Sequence, residues 1–88
     1  MNPKVENIVQ ECAEKHNVSP AQILGKNRKW PLVRARHEAL YRIREELRPV
    51  AIDPNAYSMS RIGQFFGGMD HSSVIYGIKN HKERAGLE

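Results

Sequence analysis

The stretch Gly67-Gly68-Met69-Asp70-His71-Ser72-Ser73-Val74-Ile75 decides the fold of this chain, because it writes a helix stop and a helix start within four residues. Glycine accepts the left-handed exit conformation that ends a helix, and an aspartate caps the free N–H groups that open the next one. The new helix therefore begins with His71, Ser72 and Ser73, three short polar side chains at its leading tip. Upstream, Ser58 is placed to cap a short helix whose inward residues are Ile62, Phe65 and Phe66. Downstream, the last helix runs from His71 to about Arg84 with Val74, Ile75 and Ile78 as its apolar stripe. Two helices joined by a glycine turn, the second with a polar tip, form a helix-turn-helix by pattern.

Working outward, the rest of the chain also reads as helix. Asn2-Pro3 is a cap followed by proline in the first turn, and Val5, Ile8, Val9, Cys12 and Ala13 recur at helical spacing until Asn17 and Val18. Ser19-Pro20 starts a short helix that Gly25 closes. Lys26-Asn27-Arg28-Lys29 has no apolar period and reads as an exposed basic loop. Pro31 opens the longest helix, whose inward face is Leu32, Ala35 or Arg36, Ala39, Leu40, Ile43 and Leu47, and Arg48-Pro49 stops it. Residues 49 to 57 hold two prolines and no period, the one irregular linker. The expected fold is all-α: a small helical bundle containing a helix-turn-helix, with a basic loop before a long central helix. One domain covers residues 1 to 86, and Leu87-Glu88 reads as a vector-derived scar.

Composition narrows the function. A chain of 88 residues builds one core, and its three Tyr, two Phe and one Trp suffice for it. No apolar run is long enough to span a bilayer and no signal peptide is recognisable, which points to the cytoplasm. Cys12 is the single cysteine, so neither an internal disulfide nor a zinc site of the usual kind is available, and a small core residue is its simplest role; no metal or cofactor is expected. The net charge of +4 is concentrated: residues 26 to 48 carry eight basic side chains against three acidic ones, while residues 1 to 25 carry a net −1 and residues 49 to 88 none. Such a local excess is the footprint of a nucleic-acid binder. Pairs at helical spacing, Arg34 with Glu38 and Arg42 with Glu46, account for part of the cluster but not for Lys26, Arg28 and Lys29. Arg34 and Arg36 sit in the first turns after Pro31, where the helix dipole disfavours cations unless a phosphate is bound there. His71 beside Ser72 and Ser73 is no catalytic pair, because adjacent residues on a helix point apart and no oriented acid completes a triad. The chain is read as a non-enzyme.

The segments Arg28-Lys29-Trp30-Pro31-Leu32-Val33-Arg34-Ala35-Arg36-His37 and Ile62-Gly63-Gln64-Phe65-Phe66-Gly67-Gly68-Met69-Asp70-His71-Ser72-Ser73-Val74-Ile75 resemble the C-terminal DNA-binding domain of the bacterial replication initiator DnaA, over residues 7 to 82. The resemblance implies major-groove base contacts from Asp70, His71, Ser72 and Ser73, and a minor-groove contact from Arg28. It implies phosphate contacts from Arg34, Arg36 and His37, with Arg44 as a further candidate, and the basic loop adds Lys26 and Lys29. For Asp70, helix capping alone is an equally good reading.

This chain departs from the resembled family at several points. It has Met69 where a basic residue is common, serines at 72 and 73 where threonine is common, and Gly77 where a small residue such as alanine is common. The linker from Pro49 to Tyr57 is also longer. Lost threonine methyl groups weaken contact with thymine. No Gly-x-x-x-x-Gly-Lys-Ser/Thr phosphate loop is present, so ATP hydrolysis is not expected. The expected function is sequence-specific double-stranded DNA binding at DnaA-box-like sites by a cytoplasmic, nucleoid-associated monomer, regulating replication initiation or transcription in a bacterial or phage setting. The alternative is a protein-interaction regulator that contacts DnaA or other replication proteins and has lost or weakened DNA binding. No membrane partner is expected.

Overall fold

The computed structural model describes residues 2–53 and 55–87, so Pro54 of the linker and Glu88 of the terminal dipeptide lie outside the described residues. Five helices follow in order: α1 (Pro3–His16), α2 (Pro20–Leu24), α3 (Trp30–Leu47), α4 (Met59–Phe65) and α5 (His71–Ala85). There is no strand among the described residues, as the all-α reading expects.

Local chemistry sets the helix ends. Asn2 Oδ1 accepts from the backbone N–H of Lys4 (2.8 Å), and the Asn2 side-chain amide donates to the Tyr57 hydroxyl (2.6 Å). Asn17 closes α1 in the left-handed conformation (φ 56°), with the Val18 N–H on the Ala13 carbonyl (2.9 Å). Ser19 and Gln22 form a capping box on α2, each side chain bonding the other's backbone N–H. Ser58 caps α4 through the Arg61 N–H, and Asp70 caps α5 through the Ser72 N–H (2.9 Å). Gly67 and Gly68 take φ of 73° and 81°, so both turn glycines use the backbone freedom read from the sequence. Gly25 closes α2 differently, in extended backbone at φ −83° rather than left-handed.

The core lies where α1, α3, α4 and α5 meet, with Val5, Val9, Cys12, Ile23, Leu40, Ile43, Ile62, Phe66 and Val74 fully enclosed. Burial pushes the Cys12 thiol up to about 11, which keeps it protonated and inert as a core residue. α3 is the central element, packed by α1 on one side and α5 on the other, and α4 leans on α5. Two glycines set the approach of α5. A Cβ on Gly77 would meet the His37 ring and Leu40 Cδ1 of α3 at 2.9 Å, so its absence lets the two helices close together. A Cβ on Gly63 would collide with the Met69 carbonyl, and it is the Gly63 carbonyl that receives the N–H groups of Phe66 (3.0 Å) and Met69 (2.9 Å) in the turn.

Several expected placements are corrected. Ile75 is 47% exposed, because α5 packs through Val74, Gly77 and Ile78, and this turns residue 75 outward. Trp30, counted among the core aromatics, is 56% exposed at the start of α3. Glu38 does not pair with Arg34: it is buried and accepts from Lys15 Nζ (3.0 Å) and His16 Nε2 (3.0 Å) of α1. The expected Arg42–Glu46 pair is present at 2.7 Å, and Arg42 also reaches Glu11. The linker is irregular but anchored, since Tyr57 is buried and its carbonyl accepts from Arg44 Nη1 (3.0 Å).

Candidate nucleic-acid interface

The basic loop between α2 and α3 is short, polar and held in one conformation from below. Arg36, 6% exposed on α3, sends its guanidinium under the loop. Nε donates to the Ile23 carbonyl (2.7 Å), Nη2 to the Gln22 carbonyl (3.1 Å) and Nη1 to the Asn27 carbonyl (2.9 Å). The first two are carbonyls at the C-terminal end of α2, where a helix leaves acceptors unsatisfied and favours a cation. The third fixes the peptide that leads into Arg28. On the other side of Arg28, the Lys29 N–H donates to Asn27 Oδ1 (2.9 Å), an Asx turn. The backbone of Arg28 is thus tied on both flanks, while Lys26, Arg28 and Lys29 remain exposed.

This loop faces the tip of α5. Lys26, Arg28 and the rim of Arg36 share one groove of about 270 Å³ with Phe66, Met69, Asp70 and Ser73. His71, Ser72 and Ser73 are exposed around the first turn of α5. The Asp70 carboxylate is committed to the cap: its bond from the Ser72 backbone N–H lowers its pKa, and the His71 ring Nδ1 stands 3.6 Å from its other oxygen. The groove thus sets two exposed cations and the Ser73 hydroxyl opposite the capping Asp70 carboxylate.

Other residues expected at the site are used inside the molecule or lie away from the groove. Arg36 is no surface cation, since three of its five N–H donors are used inside the molecule. His37 is half-buried between α3 and α5, held well below its usual range at about 4 by burial and then by Arg84, so it carries no charge to offer a phosphate. Arg44 is bonded to the Tyr57 carbonyl and does not line the groove. Arg34 opens onto a second cleft of about 210 Å³ with Lys15, His16, Glu38, His81 and Arg84. Burial alone would raise the pKa of Glu38, but its bonds from His16 and Lys15 outweigh that and lower it. Ser73 and Arg84 are eleven residues apart on α5, a rise of roughly 16 Å, so the two clefts are well separated.

Two features carry no plain signal in the sequence. The guanidinium carbons of Arg34 and Arg84 stand 5.5 and 5.1 Å from the Trp30 ring centroid. The spacing of Trp30 and Arg34, four residues on one helix, is a local hint of the first; Arg84 is brought in only by the tertiary fold. His37, in turn, lies 3.0 Å from Arg84 Nη2 and edge-on to Tyr76.

A family profile described as bacterial dnaA protein helix-turn-helix matches residues 5–80. The chain belongs to that family. It is 35% identical over 78 residues to a chromosomal replication initiator protein DnaA of Thermus thermophilus, covering 89% of this chain and 16% of the relative. The DnaA protein of Ralstonia nicotianae is 32% identical over 75 residues (85% of this chain, 13% of the relative), and that of Mycoplasma capricolum 37% identical over 71 residues (81% and 14%). The chain thus spans about one-sixth or less of the length of these DnaA relatives. No solved structure matches it. The match to the DnaA helix-turn-helix family includes both the basic loop and the tip of α5, the two halves of the groove.

Two outcomes follow from this arrangement. Replacing Arg36 by lysine, which cannot span three carbonyls, should cost about 2 kcal/mol or more in urea unfolding and speed amide exchange at Lys29; unchanged exchange there would mean that Arg36 does not order the loop. The second concerns pH. A histidine whose folded pKa is depressed adds stability that is full above the unfolded value of about 6.5 and is lost as pH falls toward the folded value of about 4. Unfolding free energy should drop over that window by roughly 2–3 kcal/mol, solvent screening of the half-buried ring keeping it below the full linkage value. The partly buried His81, also lowered, acts in the same direction, and His37→Asn should flatten most of the decline. An equally steep decline in the variant would assign it to other groups.

Proposed function

We propose that this chain is a sequence-specific double-stranded DNA-binding module that recognises DnaA-box-like sites, and that it acts by binding rather than by catalysis. The observation that carries this reading is the shared groove, in which Lys26 and Arg28 of an ordered basic loop meet Asp70 and Ser73 at the polar tip of α5. A helix tip of His71, Ser72 and Ser73 offers donors and acceptors to the major groove, and a loop arginine suits the narrow, negative minor groove beside it. Lys26 and Lys29 supply phosphate contacts on either side of Arg28, and Arg36, with two N–H donors left over, lines the same groove. Asp70 contributes mainly by fixing the start of α5, through its cap on Ser72. Arg34 and Arg44 are assigned no primary part, because the first stacks on Trp30 in the other cleft and the second holds the linker.

The biological role inferred is regulation of replication initiation, or of transcription at similar sites, near the nucleoid. The relatives are named as chromosomal replication initiator proteins, and this chain corresponds to the helix-turn-helix portion of them. Occupancy of a box by this module alone would compete with a full initiator for the same site. The monomer is the expected binding unit, reading an asymmetric site.

A fluorescence-anisotropy titration with a DnaA-box duplex and a scrambled duplex at several salt concentrations tests the reading. The box duplex should bind at least about tenfold more tightly. Lys26→Ala should weaken both duplexes alike and reduce the log–log salt slope by about 0.9, the value of one phosphate contact. His71→Ala should instead cost roughly 1–3 kcal/mol on the box duplex alone. Equal affinity for box and scrambled DNA would overturn sequence-specific binding, and no binding to either would favour the protein-interaction alternative.

A further inference from the structure

The exposed face of α5 does not end with its polar tip. Ile75 is 47% exposed and Tyr76 65% exposed, one helical turn behind His71 and Ser72 and on the same side of the helix. A β-branched apolar side chain in water is unremarkable when isolated. Here it stands on the ridge His71–Ile75–Lys79, whose first member is at the tip and whose last is a cation. The three tip side chains, His71, Ser72 and Ser73, carry no methyl group, so Ile75 is the first residue of the exposed face that presents one.

We propose that Ile75 is a specificity-determining residue that packs against the 5-methyl group of a thymine in the major groove, adding an apolar reading position behind the polar tip. The inference rests on the DNA-binding reading above and names a base that the site selects. Dimensions support it. Four residues of helix rise about 6 Å, less than the major groove's depth of about 8.5 Å, so a helix entering tip first still holds Ile75 inside the groove. Lys79, about 12 Å from the start of the helix, then falls at the rim, level with the phosphates. Thymine is the one base that offers an apolar group in that groove, and its methyl is the natural partner for an exposed isoleucine. The neighbouring Tyr76 ring stands edge-on to His37 with centroids 6.3 Å apart.

Uracil substitution tests this directly, because it removes only the methyl and leaves every hydrogen-bonding group of the pair in place. Each thymine of a DnaA-box duplex is replaced singly by uracil, and affinities are measured for the parent and for Ile75→Ala, whose exposed site leaves the fold intact. For the parent, one position should lose about fourfold in affinity, about 0.8 kcal/mol for one buried methyl group. Ile75→Ala should lose about the same factor on the unmodified duplex and nothing further when that thymine becomes uracil. If the parent and Ile75→Ala lose equal factors at every thymine, the methyl partner lies elsewhere and the inference is overturned while specific binding stands. If the parent does not distinguish the box from a scrambled duplex, the DNA-binding reading itself fails, and this inference with it.

Discussion

The architecture of the proposed interface depends on one buried guanidinium. Arg36 joins the C-terminal end of α2, the loop peptide before Arg28 and the body of α3 through three hydrogen bonds of 2.7 to 3.1 Å. A loop of three exposed cations repels itself and has no apolar side chain to hold it down. Without an internal anchor it would sample many conformations, and ordering it on DNA would offset part of the binding free energy. The anchor also explains why a cation sits in the early turns of α3. The helix dipole there disfavours it, but the facing end of α2 supplies carbonyls that favour it.

The second constraint is the seat of α5. Gly77 admits the His37 ring and Leu40, and Gly63 admits the Met69 carbonyl, so both glycines act by what they leave empty. Together they bring α5 close enough to α3 and α4 that Ser73 and Asp70 face Lys26 and Arg28 across one groove. The neutral His37 belongs to this seat. Its burial between helices serves packing, and its low pKa is the consequence.

Much of this is legible in the sequence because it is local. Caps at Asn2, Ser19, Ser58 and Asp70, and the left-handed glycines at 67 and 68, depend on a few neighbouring residues and appear in the structure where the sequence places them. What escapes depends on which face a helix turns to its neighbours. Periodicity locates a stripe but not its width, so it reads Ile75 as buried although α5 packs through Val74, Gly77 and Ile78. On α3 the pattern leaves the choice between Ala35 and Arg36 open, and both turn out to be inward: alanine as core, arginine as a polar anchor for carbonyls 9 to 14 residues earlier. Glu38 has its two partners 22 and 23 residues away on α1 and none at the expected i−4 position, a pairing only the packing of α1 on α3 creates. The charge cluster marks a cationic surface correctly as a whole, yet the structure divides it between internal bonds, a stack on Trp30 and the loop that faces the groove.

The central claim is that the basic loop and the tip of α5 form one continuous DNA-binding surface. Mapping backbone amide shifts by NMR during titration with a DnaA-box duplex tests it most directly. The account predicts large, concurrent changes at Lys26–Lys29 and Asp70–Ser73, with Lys15, Glu38, His81 and Arg84 of the other cleft nearly unmoved. Changes centred on that second cleft, or confined to only one half of the groove, would contradict it.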